Sequence, residues 1–426
     1  MVWQSAGSSS ILSHRNHIAP GESNVGSAAI SESGRSDLLP SLWKHWVGLV
    51  ALLTLVIALP VCAQTTCVAT EPDKHLKWIL KNVQYSLSKE KPAEALALIT
   101  AEIGRSSKSV EQTSALMTAL GEIRYQLRDE VAAITAFNNA LQLDPCNGRA
   151  HYFAWRIDSI TNRPEQAAIQ INMAHRLAPF DSQIEHSWMA VQQASALAED
   201  PGFPHVIASP RESPFPRTLV CDGIPVRSSA KVNPQALILA CGKIQRMLAG
   251  LPEARRRLVS GGAELHVIGE FENTSDLPEA RRFKGNSSYI DAEGRKTNID
   301  ERTRGVGGLM SSCGEENLLA LPSDRYFEGE DTCTHEFAHD LRNHGLKHHA
   351  IEAINRRYKD AMSAGLWKGG YASVNADEFF AELSCWYFGG HGGYLANHIP
   401  PAGAESLKLY DPDSFAVLEK IYTAHD

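Results

Sequence analysis

Two short stretches of the chain hold residue types that do chemistry together. The first is His335-Glu336-Phe337-Ala338-His339. On a helix, His335 and His339 stand one turn apart and face the same way. Two imidazoles so placed can hold one Zn²⁺, and Glu336 between them can take a proton from water. The second stretch is residues 367–388, where Glu378 and Glu382 are four apart and share a helix face. A catalytic zinc site with two histidines needs a third protein ligand and one open position. Glu378 supplies that ligand. Glu382, one turn on, would accept a hydrogen bond from the imidazole of His335 and fix its tautomer. Asn375-x-x-Glu378 also reads as a capping box, which needs no metal. The histidine pair upstream favours the metal.

These side chains need two helices to carry them. Asp331 or Thr332 can cap the first, Phe337, Ala338 and Leu341 give it an apolar face, and Gly345 can end it. Asn375 can cap the second, which runs from 376 to about 388 and closes at Gly389-Gly390. Upstream, residues 218–226 read as a strand, 234–248 and 252–260 as helices, and 264–269 as a strand. Strand, helix, helix, strand and then the histidine helix is an α+β order. Residues 274–298 are polar and read as a long loop. Residues 305–308 read as a flexible turn, and 309–321 as a strand-bearing region with which an extended substrate could pair.

H-E-x-x-H followed by E-x-x-x-E on a later helix resembles the gluzincin zinc metallopeptidases. Tyr371, seven residues before Glu378 in Glu378-Phe379-Phe380-Ala381-Glu382, is similar to the catalytic domain of the anthrax lethal factor-like peptidases. The resemblance covers about fifty residues, His335 to Glu382, and its motif positions are specific. It implies a zincin-like fold and hydrolysis of peptide bonds, with endopeptidase action as the expectation. It implies His335, His339 and Glu378 as zinc ligands and Glu336 as general base. It implies that the Tyr371 hydroxyl stabilises the oxyanion. A metzincin would carry Gly at 342 and His at 345, where this chain has Arg342 and Gly345. Gly314-Glu315-Glu316-Asn317 resembles the glycine-x-Met-Glu-Asn motif of zinc aminopeptidases, with Glu315 in place of the Met. That makes a zinc aminopeptidase the alternative, with Glu315 or Glu316 gripping the substrate amine.

Residues 71–200 are helical and rich in alanine. Ala133, Phe137, Ala140 and Pro145 recur 34 residues on as Ala167, Ile171, Ala174 and Pro179, with Leu120, Gly121 and Tyr125 upstream. The pattern resembles the tetratricopeptide repeat over about two repeats, with a capping helix from 182 to 198. Stacked repeats offer a groove to a protein partner, or simply pack on the next domain. A non-catalytic interaction protein is therefore the second alternative. Residues 201–217 are rich in proline and mark the boundary to a metallopeptidase domain at 218–426. The fold class expected is an all-α, tetratricopeptide-like domain followed by an α+β zincin-like domain.

The compartment is read from the other end. Residues 1–41 lack an apolar period and read as disordered. Residues 42–63 join a basic flank to an uncharged apolar run and end in small residues, the pattern of a signal peptide cleaved after Ala63. Retained, residues 46–62 would serve as a short membrane anchor. Either way the chain beyond Ala63 is expected to be exported, to the periplasm or the exterior. Eight cysteines without C-x-x-C argue against a cysteine zinc site and suit structural disulfides or buried thiols. Cys221 with Cys241 and Cys313 with Cys333 are candidate pairs, as buried thiols are an equal alternative. A net charge of −8 without a long basic run argues against nucleic acid. The partner expected is a peptide or protein substrate.

Overall fold

The computed structural model describes residues 67, 73–89, 91–105, 108–161, 163–209, 213–326, 329–392 and 401–424. The expected signal or anchor at 42–63 lies outside them, as does Cys62. Thr66–Asp426 forms one compact unit. Its described part is rich in helix, with a mixed sheet in the C-terminal part. Among the described residues no helix is long and apolar enough to cross a membrane.

Seven helices open the described residues: α1 (Lys74–Ser88), α2 (Pro92–Ile103), α3 (Val110–Gln126), α4 (Glu130–Leu143), α5 (Gly148–Ile160), α6 (Pro164–Leu177) and α7 (Ser182–Ala198). Their starts arise from local chemistry. Asp73, Ser109, Asp129, Asn147 and Asp181 cap them with side-chain oxygens, and prolines take the first turn of α2 and α6. Each helix packs on the next, α1 also on α3 and α3 on α5. Of the 34-residue pattern, Ala133, Phe137, Ala140, Ala167, Ile171 and Ala174 are buried, while Pro145 and Pro179 are exposed. A Cβ at Gly121 would strike the Phe137 ring, so only glycine lets α3 and α4 approach this closely.

The strand expected at 218–226 is two strands. β1 (Ile207–Ala208), β2 (Arg217–Cys221) and β3 (Ile224–Ser228) form an antiparallel ladder. Asp222 and Gly223 both take positive φ, 50° and 93°, the Asp-Gly hairpin turn that breaks the run. Helices α8 (Pro234–Leu248) and α9 (Pro252–Gly261) then cross over to β4 (Glu264–Ile268), parallel to β3. The expected loop at 274–298 contains a small hairpin, β5 (Tyr289–Ile290) with β6 (Lys296–Thr297), followed by α10 (Ile299–Arg302). β7 (Gly305–Val306) and β8 (Met310–Gly314) complete the main sheet, whose order is β1-β2-β3-β4-β8-β7. β4 and β8 run parallel, β8 and β7 antiparallel. Residues 305–308 are therefore not merely a turn but include the outer strand. β7 pairs with Ser312 and Cys313 of β8, so an incoming strand cannot pair at those two residues; beyond them the outer strand is β7.

The chain continues through α11 (Glu315–Leu318), α12 (Thr332–Asp340), a π-helical turn at Leu341–Gly345, α13 (His348–Ser363), α14 (Ala376–Tyr387), α15 (Ala404–Tyr410) and α16 (Pro412–Tyr422). One core runs without a break from Tyr125 and Phe153 through the sheet to Leu418 and Tyr422. Disulfides join Cys221 to Cys241, Cys313 to Cys333 and Cys67 to Cys146; the last was not among the expected pairs. Cys313–Cys333 ties β8 to α12 and Cys385 is a buried free thiol.

Candidate metal centre

α12 is fixed at its first turn. Asp331 accepts hydrogen bonds from the Thr334 amide at 3.0 Å and from its hydroxyl at 2.7 Å, and pairs with Lys243 at 2.6 Å. Burial works against that carboxylate, but Lys243 and Thr334 outweigh it and hold its pKa below the usual range. Asn317 accepts from the Thr332 amide and donates to the Glu330 carbonyl, clamping the segment that enters the helix. α14 packs against α12. Asn375 caps it, accepting from the amides of Asp377 and Glu378 at 2.8 and 2.9 Å. The capping box is only half made, because the Glu378 carboxylate turns to the histidines instead.

Three ligand atoms converge. His335 Nε2 lies 3.1 Å from Glu378 Oε2, His339 Nε2 lies 3.3 Å from the same oxygen, and the two ring nitrogens are 3.1 Å apart. Bonds of about 2.0–2.1 Å in a tetrahedral metal site set ligand atoms roughly 3.3–3.4 Å apart. The triangle fits that edge. Ligand atoms of His335, Glu336 and His339 also lie within 4.8 Å of one another. Two triads thus compete, and Glu378 makes the tighter one, since it is within 3.3 Å of both imidazoles. His335 Nδ1 stands 2.9 Å from Glu382 Oε1, an ion-pair distance, and both Glu382 oxygens are otherwise buried without a hydrogen-bond partner. A proton on each ring nitrogen lets His335 meet Glu382 and Glu378 at once, and a cation bound at Nε2 would take the place of the second proton. These groups could hold a metal ion.

The electrostatics point the same way. Burial opposes a charged His335, but its contacts with Cys385, Glu378 and Glu382 outweigh that and hold its pKa well above the ordinary value. Burial likewise opposes an ionised Glu378, yet His335 and His339 hold it well below the carboxylate range. Glu336 is pushed up by burial and by Glu378 and Glu382, against the pull of the two histidines.

His335, Glu336, His339 and Glu378 line a cavity of about 320 Å³. Tyr371, in the 3₁₀ turn Tyr371–Ser373 ahead of α14, stacks on His335 with ring centroids 6.0 Å apart. Arg302 donates to its hydroxyl at 3.4 Å and lies 5.7 Å from its ring centroid. Burial and Glu378 raise the Tyr371 pKa, so the phenol keeps its proton. Tyr289 and Ile290 of β5 line the cavity too, and burial pushes the Tyr289 phenol up to about 12. Residues 305–308 line it beside α12. A Cβ at Gly305 would fall 2.8 Å from Glu336 Cγ, and one at Gly307 2.6 Å from His339 Cβ.

The structure therefore brings together His335, Glu336, His339, Tyr371, Glu378 and Glu382. Glu315 and Glu316 are elsewhere. Glu315 accepts from the amides of Asn233 and Glu270, Glu316 pairs with Arg304, and neither lines the cavity. Sequence reasoning missed Tyr289, Arg302 and the role of the glycines at 305 and 307. Only the glycines carried a signal, three in four residues at a strand. No family model, no curated protein and no solved structure matches the chain.

Proposed function

We propose that this chain is an exported zinc-dependent peptidase that cuts within polypeptides. The observation that carries the reading is the convergence of His335 Nε2, His339 Nε2 and Glu378 Oε2 at 3.1–3.3 Å, with Glu336 on the same helix and in the same cavity. His335, His339 and Glu378 hold the ion, and Glu382 orients His335. A bound Zn²⁺ supplies Lewis acidity to the scissile carbonyl and to water. Glu336 takes the proton of the attacking water and passes it to the leaving amine; its raised pKa suits both transfers. The Tyr371 hydroxyl donates to the developing oxyanion. An extended peptide pairs with the free edge of β7 and so crosses the cavity. The fold is gluzincin-like in this reading, and α1–α7 are tetratricopeptide-like layers. Three disulfides support export, because thiols stay reduced in reducing compartments.

The test is digestion of a diverse peptide library by residues 66–426, wild type beside Glu336→Gln, with products read by mass spectrometry and metal content by elemental analysis. Wild type should make internal cuts and bind about one zinc. Glu336→Gln should keep the zinc and lose about 10²–10⁴-fold in rate. Removal of single N-terminal residues would replace the endopeptidase with an aminopeptidase. Zinc bound at the site without cleavage by either form would overturn the enzyme reading.

A further inference from the structure

α1 has two unlike faces. Leu76, Ile79, Val83 and Leu87 are buried and build a small core with α2 and α3 that is separate from the main one. The opposite face carries Lys74, Trp78, Lys81, Tyr85 and, just past the helix end, Lys89. The steps are four, three, four and four residues, so all five lie on one stripe. All are exposed, Trp78 at 56% and Tyr85 at 62% of their surface. Lys89 Nζ lies 5.9 Å from the Tyr85 ring centroid. No acidic residue occurs in the helix.

Indole and phenol rings each join an apolar body to one polar tip. Beside lysines, such rings are the composition that seats a helix at the headgroup layer of a bilayer. A second observation points to the same partner. The uncharged apolar run at 46–59 ends before this helix in the chain. The roughly eleven residues between 62 and 74 reach at most about 40 Å when extended. Retained as an anchor rather than cleaved, that run would hold a membrane within reach of α1. We infer that the outer face of α1 rests on an anionic phospholipid surface, Trp78 and Tyr85 among the headgroups and Lys74, Lys81 and Lys89 on phosphates. The inference stands apart from the proposed chemistry, since none of these residues lines the candidate metal site.

Flotation of residues 66–426 with vesicles tests it. These residues lack the apolar run and form a compact unit of their own. Vesicles of phosphatidylcholine alone are set beside vesicles with about one third phosphatidylglycerol. The protein should float with the anionic vesicles, stay behind with the neutral ones, and come off as salt is raised. K74E/K81E/K89E should bind the anionic vesicles at least about fivefold more weakly for each lysine changed. W78A/Y85A should also weaken binding. Both variants should melt with wild type, because the five side chains are exposed. Equal flotation with neutral and anionic vesicles, or full binding by K74E/K81E/K89E, would overturn the inference. So would sedimentation showing that W78A/Y85A breaks up a dimer, which would make the stripe a protein contact.

Discussion

The helical layers α1–α7 and the paired helices α12 and α14 treat buried charge in opposite ways. In the layers each buried carboxylate meets a cation from nearby chain. Glu122 is paired with Arg149 at 3.0 Å, Glu102 with Arg105 at 3.2 Å and Asp158 with Arg163 at 2.7 Å. At the candidate site between α12 and α14 the carboxylates have only imidazoles, although Asp331 and Asp377, at the starts of the two helices, meet Lys243 and Arg342. Glu378 faces His335 and His339, Glu382 faces His335, and both oxygens of the fully buried Asp340 lack a hydrogen-bond partner. Burial alone pushes the Asp340 carboxyl up to about 7. Charge pairing in the layers serves stability. The deficit of positive charge in the second region costs stability and leaves groups that could hold a cation.

The junction between the two regions offers the largest test of that difference. Arg156 of α5 forms a buried ion pair with Glu270, which Tyr125 and Ser323 also contact. Arg156→Ala leaves Glu270 buried without its cation, close to Glu315, whose carboxylate accepts from the Glu270 amide. Such a loss costs about 3–5 kcal/mol. Urea unfolding should register it as a lower midpoint in one transition, because the core is continuous across the junction. A cost below about 1 kcal/mol would mean that solvent screens the pair and that the layers do not depend on paired charge.

Tyr371→Phe should instead touch only chemistry. It removes one hydroxyl that Arg302 meets at 3.4 Å and leaves the ring on His335. Turnover should fall by about 10²–10³, with melting temperature and zinc content unchanged. A shift in melting without loss of turnover would make Tyr371 a packing residue and blur the contrast.

How much of this was legible depends on the range of the contacts involved. Helices are written in caps, prolines and apolar periods, so α7, α8 and α14 fall within a residue or so of where the sequence puts them. The site was legible because spacing on single helices defines it: His335 with His339, and Glu378 with Glu382. What failed was nonlocal or concealed. The Asp222-Gly223 turn hid inside an apolar run. β7 is two residues of a glycine-rich stretch, and its strand character comes from β8 alone. The place of Tyr289 in the cavity, the Arg302–Tyr371 contact, the Cys67–Cys146 bond and the Arg156–Glu270 pair join positions far apart in the chain, which no local pattern records.

A smaller effect is expected from Glu382→Gln. Its carboxylate faces the far nitrogen of His335 at 2.9 Å. The amide keeps the shape but loses the charge that orients the ring and raises its basicity. Zinc affinity should fall about 10–100-fold in competition with a chelator, while the metal-free fold keeps its stability or gains some. Unchanged affinity would mean that His335 is held by packing alone.

The last test asks whether the charge deficit extends beyond the site. Glu315 lies under the junction, fully enclosed, and its pKa is pushed up to about 8 by burial. The amides of Glu270 and Asn233 pull it down but do not win, and the charges of Glu270 and Glu316 add to the rise. An unfolded glutamate titrates near about 4.3. Between these values the folded chain keeps the proton and the unfolded chain releases it. The contribution of Glu315 is therefore full below about pH 4 and lost as pH rises toward 8, at about 1.4 kcal/mol per pH unit. Glu315→Gln starts less stable, because one amide of the pair it accepts from then faces an NH₂ group. Its stability should nevertheless fall with pH by about one proton less than that of wild type between roughly pH 5.5 and 7.5, read from urea midpoints in a buffer series. Equal slopes would mean that Glu315 is already ionised in the fold. The cations of the layers would then reach it, and the deficit would be confined to the helices that carry His335 and Glu378.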